Sequence, residues 1–485
     1  MNFTLVDWAI VSTYLAACLA IGVWGRKFVA GVEDFLVAGR QLGLHVGIAT
    51  LAATEIGTVT FMYYAQLGYK TGFASFVNGL IAGLVMIVIG RTGFVVSRLR
   101  ALRLMTMPEF FEMRYSRNLR ILTGILVATG GILGMGVFIR VEGTFLLLVT
   151  GIPLHYLKIA MAAILALEFT YTVLGGMVSI VITDFLQYVL LSVSTVLVTI
   201  YCIHVVGWGT MTDTVWNLMG TSGFNPLTNP EYGWIYILFQ IMLWIAGDTC
   251  WQTTAMRTFS AQDPETSQKI FFWTGFIFLG RGLMPMLWGI AALAVLGPRQ
   301  DSLQAMPIML SKLLPSGVLG LVIAGMLAAT MSVNSSYLLG WSSIIAQDVA
   351  LPLWRKPVTS RGQVVLNRMI NVFVSAFVFF WGLWYTLAGP VYFYVTFTAT
   401  IFLAGTLSAV IGGLYWKRAN ALGGYCAMIA GVLGAVLFFF FHVSSGYAGL
   451  GSFILAGLGM LLGSLLGSKQ PFYKAPVEPE VEDRM

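Results

Sequence analysis

The sequence predicts an all-α polytopic membrane protein, and three observations carry that expectation. Of its 485 residues, 58% are hydrophobic and 10% charged, with a mean hydropathy of +0.85. A water-soluble chain of this length has no way to hide so much apolar surface, whereas lipid replaces most of the core of a membrane bundle. Apolar runs of the length that crosses a bilayer recur along the whole chain. Basic residues fall on alternate connections between these runs. The longest polar stretches, 98–119, 208–231 and 346–367, are too short for a soluble enzymatic or receptor domain.

Thirteen spans follow from runs of about 20 residues. The first, 6–25, carries Asp7 ahead of its apolar run and lacks a basic leader, so it reads as a retained helix. The second, 43–66, has a polar centre at Thr54, Glu55, Gly57, Thr58 and Thr60, which suits a helix broken beside a cavity. The third, 72–97, ends on an arginine-rich loop. The fourth, 121–150, holds Arg140 and Glu142, two residues apart and so on different helix faces. The fifth and sixth, 156–175 and 179–206, carry Glu168 and Asp184. The seventh, 232–256, has a second polar centre around Asp248, Trp251 and Gln252. Five spans separate the starts of the two interrupted helices, the spacing of two five-helix repeats.

The eighth span, 270–296, holds Arg281. The ninth, 313–345, sets Ala329, Ser332 and Ser336 on one helical face with Ser335 beside them, a stripe that serves packing or a hard cation. The last four, 368–388, 390–415, 422–442 and 447–467, are apolar, and a short polar tail follows. Glycine, at 54 residues, clusters inside spans, where small residues allow close helix approach.

The net charge of +7 reports orientation rather than a nucleic-acid partner. Of the 27 Lys and Arg, twenty lie on one set of loops: Arg26, Lys27 and Arg40, then Arg98, Arg100, Arg103, Arg114, Arg117 and Arg120. Arg257, Lys269, Arg355, Lys356, Arg361, Arg368, Lys417, Arg418, Lys469, Lys474 and Arg484 complete the set. Only Lys70, Lys158, Arg299 and Lys312 lie opposite. This asymmetry places the N-terminus outside and the C-terminus in the cytoplasm of a multi-pass cell-membrane protein, which an odd span count also requires. Cys18, Cys202, Cys250 and Cys426 are scattered singly and have no metal or redox spacing.

Carboxylates inside a bilayer cost about 2.5–3.5 kcal/mol each, so each needs a reason. Glu55, Glu142, Asp184 and Asp248 sit deep, as do the bases Arg140 and Arg281. Arg91 and Glu168 are expected to reach towards the inner face. No grouping of His, Asp and Glu fits a hydrolase or intramembrane protease, so the sequence predicts a carrier and not an enzyme.

Five motifs occur in order: Asp34-Phe-Leu-Val-Ala-Gly-Arg40; Met107-Pro-Glu-Phe110; Tyr171-Thr-Val-Leu-Gly-Gly-Met177 with Thr183-Asp-Phe-Leu-Gln187; Ala324-Gly-Met-Leu-Ala-Ala-Thr-Met-Ser332; and Tyr415-Trp-Lys-Arg-Ala-Asn420 with Gly423. Together they resemble the sodium/solute symporter family, whose members carry sugars, proline, sialic acid and vitamins. The resemblance implies a LeuT-type fold of inverted five-helix repeats plus extra helices. It divides the chain into an extra helix and loop (1–42), a first repeat (43–206), an outer loop and second repeat (207–415), two additional helices (416–467) and a tail (468–485).

The resemblance also implies two sodium positions. The shared one takes oxygens from Ala53, Ile56, Ala329, Ser332 and the position of Val333. Valine departs from the usual Ser or Thr and offers no side-chain oxygen, so Glu55 is a candidate to supply one. The second position takes Asp184, Ser335 and Ser336. Sodium is then the coupling ion for uptake of a small polar solute, amino-acid-like or carboxylate, by alternating access. Thr54, Glu55, Thr60, Asp248, Trp251, Gln252, Arg281 and Tyr394 are the substrate candidates. The alternative is a proton-coupled carrier using Glu55 or Asp248. The sequence specifies no oligomeric state.

Overall fold

The computed structural model describes residues 3–25, 27, 31–354, 358–385 and 389–468, without the side chains of 22, 23, 25 and 169–175. Arg26, Arg355, Lys356, the tail from 469 and the side chains of the Tyr171 motif lie outside this description. The described residues are helical throughout apart from connections and one isolated bridge, Leu42 to Ala261.

Helix α1 (Leu5–Gly25) leads through α2 (Val32–Val37) to α3 (Leu44–Glu55) and α4 (Thr58–Thr71). Then come α5 (Phe76–Thr92), the short α6 (Val96–Ala101) and α7 (Glu109–Arg114), α8 (Arg117–Thr150) and α9 (Leu157–Val206). Connection helix α10 (Trp208–Met219) precedes α11 (Trp234–Cys250), α12 (Gln252–Ser260) and α13 (Pro264–Leu296). The remainder are α14 (Ala305–Leu313), α15 (Val318–Ile344), α16 (Leu351–Trp354), α17 (Ser360–Trp384), α18 (Val391–Tyr415), α19 (Ala421–Phe441) and α20 (Ser445–Leu466).

Local chemistry sets several of these starts. Ser116, Asp263, Thr359 and Asn420 each accept a backbone N–H from the first turn of α8, α13, α17 and α19, satisfying a donor that the helix itself leaves unpaired. Pro264 follows Asp263 at the first helical position, where a missing N–H costs nothing.

Among the described residues nine helical stretches are long and apolar enough to cross a bilayer, and ten if the bent pair α11–α12 is one span. The thirteen expected spans differ from this at three places. Leu5–Ile21 is apolar but shorter. The second span is interrupted after Glu55, so its halves are α3 and α4. The fifth and sixth meet within α9 at a kink, where Gly176 has φ 53° and ψ −147°. That backbone geometry is open to glycine and strained for other residues.

Burial orders the bundle. The window in Val318–Trp354 is 89% buried, against 28% for those in Gly176–Val206 and Ser360–Trp384. Helix α15 therefore forms the central post, and the other two present apolar faces outward. It packs against α9, α8 and α1, while α13 packs on α5 and α4, and α18, α19 and α20 form a further group. At the crossing of α13 with α4, a Cβ on Gly289 would sit 1.9 Å from the Ala65 carbonyl oxygen.

The arginine-rich loop does more than carry charge. Arg100 donates to the carbonyls of Ala261 and Gln262 at 2.6 and 2.7 Å. Arg114 reaches Gly413 and Ala419, and Arg98 reaches Leu414. These bonds tie the loop beneath both α12 and α18. Glu168 does not extend to a membrane face as expected. It is fully buried and contacts Asn334 of α15.

Candidate functional site

The two breaks that the sequence singled out face each other. After Glu55 the chain leaves helical geometry at Ile56 and Gly57 before α4 begins. The Thr58 hydroxyl donates to the Met326 carbonyl at 2.6 Å and accepts from Thr330 at 2.9 Å, pinning the new helix to α15. Gly57 lies so close to Val333 that a Cβ would come within 2.9 Å of its Cγ2. The second break is at Trp251, whose φ −65° and ψ 129° bend α11 from α12 by 45°. Helix ends inside a bundle free carbonyls and N–H groups that only a cavity or ligand can use.

Between the breaks lies a cavity of about 100 Å³. Glu55, Thr60, Asp248, Trp251 and Arg281, five of the substrate candidates, line it together with Tyr63, Trp244 and Tyr337. The other three are engaged elsewhere. Gln252 is fully buried and its Oε1 accepts from the Met107 N–H at 3.0 Å. Thr54 turns to Ser336 and Asp184 at 3.3 and 3.4 Å. Tyr394 donates to the Leu133 carbonyl and accepts from Trp381. A helix turned by the break at Trp251 sends Gln252 away from the cavity, which explains the first correction.

The cavity's charges are asymmetric. Glu55 Oε1 accepts from Thr253 and Thr254 at 2.8 and 3.1 Å, so α12 holds the end of α3. Asp248 Oδ2 is buried with no hydrogen-bond partner, and so are Nε and Nη1 of Arg281. The Arg281 guanidinium lies over the Phe278 ring at 4.4 Å and the Trp244 ring at 5.4 Å. Such unmet donors and acceptors are expensive in a buried site unless a bound solute or water completes them. Trp251 stacks on Phe402, meets Trp341 edge-on and lies tilted against Tyr337, giving the cavity a fixed aromatic wall.

The expected shared sodium residues Ala53, Ile56, Ala329 and Ser332 are all buried where α3 passes α15. Their carbonyls and one hydroxyl have the hard-oxygen character that sodium takes. Val333, 4% exposed, presents only methyl groups, packed toward Gly57 and the cavity.

The second position differs from the expectation. Asp184, on α9, accepts from the hydroxyls of Thr50 and Ser332 at 2.5 Å each. Its Oδ2 also accepts from Arg257 Nη2 at 3.1 Å, and the same nitrogen donates to Ser336 Oγ at 2.7 Å. Both charged side chains are fully buried. A guanidinium therefore stands among the oxygens assigned to a cation. Ser335 donates instead to the Ser332 carbonyl of its own helix.

Arg257 was the functional residue that loop counting misplaced. It belongs to α12 and is 1% exposed. Its signal was distance. Nine residues of helix beyond Asp248 rise only about 14 Å, too little to leave a bilayer from its midplane.

Comparison with known proteins identifies the family and the fold. The model of the "Sodium:solute symporter family" matches residues 35–431. A sodium/glucose cotransporter of Vibrio parahaemolyticus is 22% identical over 476 residues, covering 91% of this chain and 87% of that protein. The high-affinity proline transporter PutP of Bacillus subtilis (strain 168) is 25% identical over 445 residues, covering 86% and 89%. A solved sodium-coupled sialic acid symporter, in a substrate-bound outward-open state, superposes with a TM-score of 0.84 at 17% identity, covering 97% of this chain and 100% of that one.

Proposed function

Because this chain belongs to the sodium:solute symporter family, a family of sodium-coupled membrane carriers and not of enzymes, we propose that it couples sodium influx to uptake of an amino-acid-like or carboxylate solute by alternating access. The observation that carries this reading is the cavity between two broken helices, with a guanidinium and a carboxylate on its wall that each bury polar atoms without a hydrogen-bond partner. Arg281 takes the solute's carboxylate in a charge-assisted contact. Asp248 and Glu55 take its positive or hydrogen-bond-donating group, and the Trp251 and Tyr337 rings cover its apolar part.

Sodium is held at the shared position by Ala53, Ile56, Ala329 and Ser332. It supplies positive charge that draws the two halves of the first break toward α15, favouring the state in which the solute cavity is formed. Glu55 belongs with the solute rather than the ion, because its bonded partners are the threonines of α12. At the second position Arg257 supplies the positive charge permanently, so one sodium rather than two accompanies each solute.

The five-helix repeats run over 43–206 and 207–415, flanked by 1–42, by 416–467 and by the tail. The N-terminus lies outside and the C-terminus in the cytoplasm, as the loop charges support. Uptake of labelled amino acids, monocarboxylates and monosaccharides into proteoliposomes, under separately imposed sodium and pH gradients, tests the assignment. Sodium-driven accumulation of an amino acid or carboxylate is expected. Accumulation of a sugar alone overturns the solute class, and accumulation under a pH gradient with sodium absent from both sides overturns sodium coupling.

A further inference from the structure

A second group of buried carboxylates adjoins the cavity but has been given no part in solute or sodium binding so far. Glu142 of α8 and Glu168 of α9 are 2% and 0% exposed. The Asn334 side-chain amide of α15, itself fully buried, donates to Glu142 Oε2 at 2.7 Å and to Glu168 Oε1 at 3.1 Å. One amide nitrogen thus bridges two acids from two helices. Three further oxygens of the group, Glu142 Oε1, Glu168 Oε2 and Asn334 Oδ1, are buried without a partner. Glu142 also forms part of the wall of the central cavity, so the group has a way to exchange with it.

Electrostatics make two full charges here untenable. The hydrogen bonds to these carboxylates come from Asn334, and among the described residues no guanidinium or ammonium forms an ion pair with either. The charged groups of the surrounding helices are committed elsewhere. Arg140 donates to the carbonyls of Gly382 and Tyr385. Asp184 and Arg257 pair with one another. Glu55, Asp248 and Arg281 face the solute cavity. Two like charges sharing one neutral donor in a low-dielectric bundle need a neutralising cation.

We propose that Glu142, Asn334 and Glu168 form a proton-binding site opening to the central cavity, so that a proton moves with sodium and solute in each cycle. The placement of the amide favours a proton over a metal ion. Its NH2 group, a donor, occupies the point between the two acids where a metal would require an oxygen. Loading forms an O–H bond at Glu142 Oε1 as hydronium in the cavity becomes water. Passing that proton on to Glu168, the fully buried member, leaves Glu142 free to accept from Asn334. Release reverses these steps when the cavity faces the other side. The site does not depend on which solute the cavity takes, only on the cavity being alternately exposed.

The test is infrared difference spectroscopy on the full-length protein reconstituted in lipid, with proton and sodium as the only added probes. Wild type at neutral pH is expected to show a protonated-carboxyl stretch that Glu168→Gln removes and that is unchanged when choline replaces sodium. Glu142→Gln is expected to slow its exchange with deuterated buffer at least several-fold. A band that vanishes on adding sodium at constant pH identifies a sodium site and overturns the proposal. A band identical in wild type, Glu142→Gln, Glu168→Gln and the double variant assigns the proton elsewhere and also overturns it. Should Glu168→Gln fail to fold, Asn334→Asp provides the second reading, since a third acid at the site is expected to add carboxyl intensity. No added intensity there counts against the site. Sodium-driven uptake by wild type, measured in parallel, stays informative about the transport assignment whichever way the spectra fall.

Discussion

Removing Arg257 tests whether a side chain has replaced a transported ion. In Arg257→Ala, Asp184 loses its only cationic partner among the described residues, while Thr50, Ser332 and Ser336 keep their hydroxyls around the vacated space. Two charge-assisted bonds disappear, to Asp184 at 3.1 Å and to Ser336 at 2.7 Å. At about 1.5–3 kcal/mol each they bracket the roughly 3–5 kcal/mol expected for breaking one side of a buried ion pair. In sodium-free medium the variant should therefore unfold at distinctly lower temperature than wild type. Sodium should then restore much of the loss, because a cation that binds only the folded state stabilises it by about 2.7 kcal/mol at one hundred times its dissociation constant. Where Arg257→Ala still transports, the sodium dependence of uptake should steepen, with the Hill coefficient moving from about 1 towards 2. Asp184→Asn should also destabilise, by leaving a buried guanidinium, but without changing the steepness for sodium. Thermal unfolding with and without sodium, followed by uptake at graded sodium, reads both effects. An Arg257→Ala protein as stable as wild type, or one whose loss sodium does not repair, would refute the idea that Arg257 stands for a cation.

Three other outcomes follow from the same geometry. Val333→Ser should fold and increase sodium affinity by up to about tenfold, or 1.4 kcal/mol, since it adds a hydroxyl to a position now lined by methyl groups; equilibrium sodium binding without solute measures it. Glu55→Gln should leave that sodium affinity unchanged while weakening solute binding, because it lines the cavity and its bonded partners Thr253 and Thr254 belong to α12 rather than to the ion position; equal losses of both would return Glu55 to the ion. Gly289→Ala should lower the unfolding temperature by an amount corresponding to at least the 1–3 kcal/mol typical of overpacking, as its methyl would fall 1.9 Å from the Ala65 oxygen; a variant of wild-type stability would mean that α4 and α13 separate freely.

The fold was legible wherever hydropathy and polar interruption carry the signal. The centres at Thr54–Thr60 and at Asp248–Gln252 stood out because lipid has no use for them, and both proved to be breaks on one cavity. What escaped was direction. A polar residue beside a break faces the cavity or the neighbouring helix according to a rotation that the break itself sets, so Trp251 and Gln252, adjacent in sequence, part company. Arg257 escaped for a different reason. Counting basic residues by loop treats every arginine near a span end as solvated, and only its short rise from Asp248 marks it as buried. Glu168 was judged by its own reach, whereas Asn334, on a helix far away in sequence, decides where it points.

The distribution of charge inside the bundle constrains the coupling more tightly than any single residue. Around the cavity and its flanks lie five carboxylates, Glu55, Glu142, Glu168, Asp184 and Asp248, against two guanidiniums, Arg257 and Arg281. Full ionisation would leave an excess of three negative charges in a region where each uncompensated one is costly. Arg257 is consumed by Asp184 at contact distance, and Arg281 faces both Glu55 and Asp248 without a hydrogen bond to either. In the proposed cycle the deficit would be met by what the protein carries: sodium at the oxygens of the first break, a positive group on the solute, and a proton between Glu142 and Glu168. A solute bearing a carboxylate would occupy Arg281 and deepen the deficit, so its uptake demands an accompanying cation. The wall of this cavity thus makes uncoupled movement of such a solute unfavourable, which is how the proposed symport would be enforced.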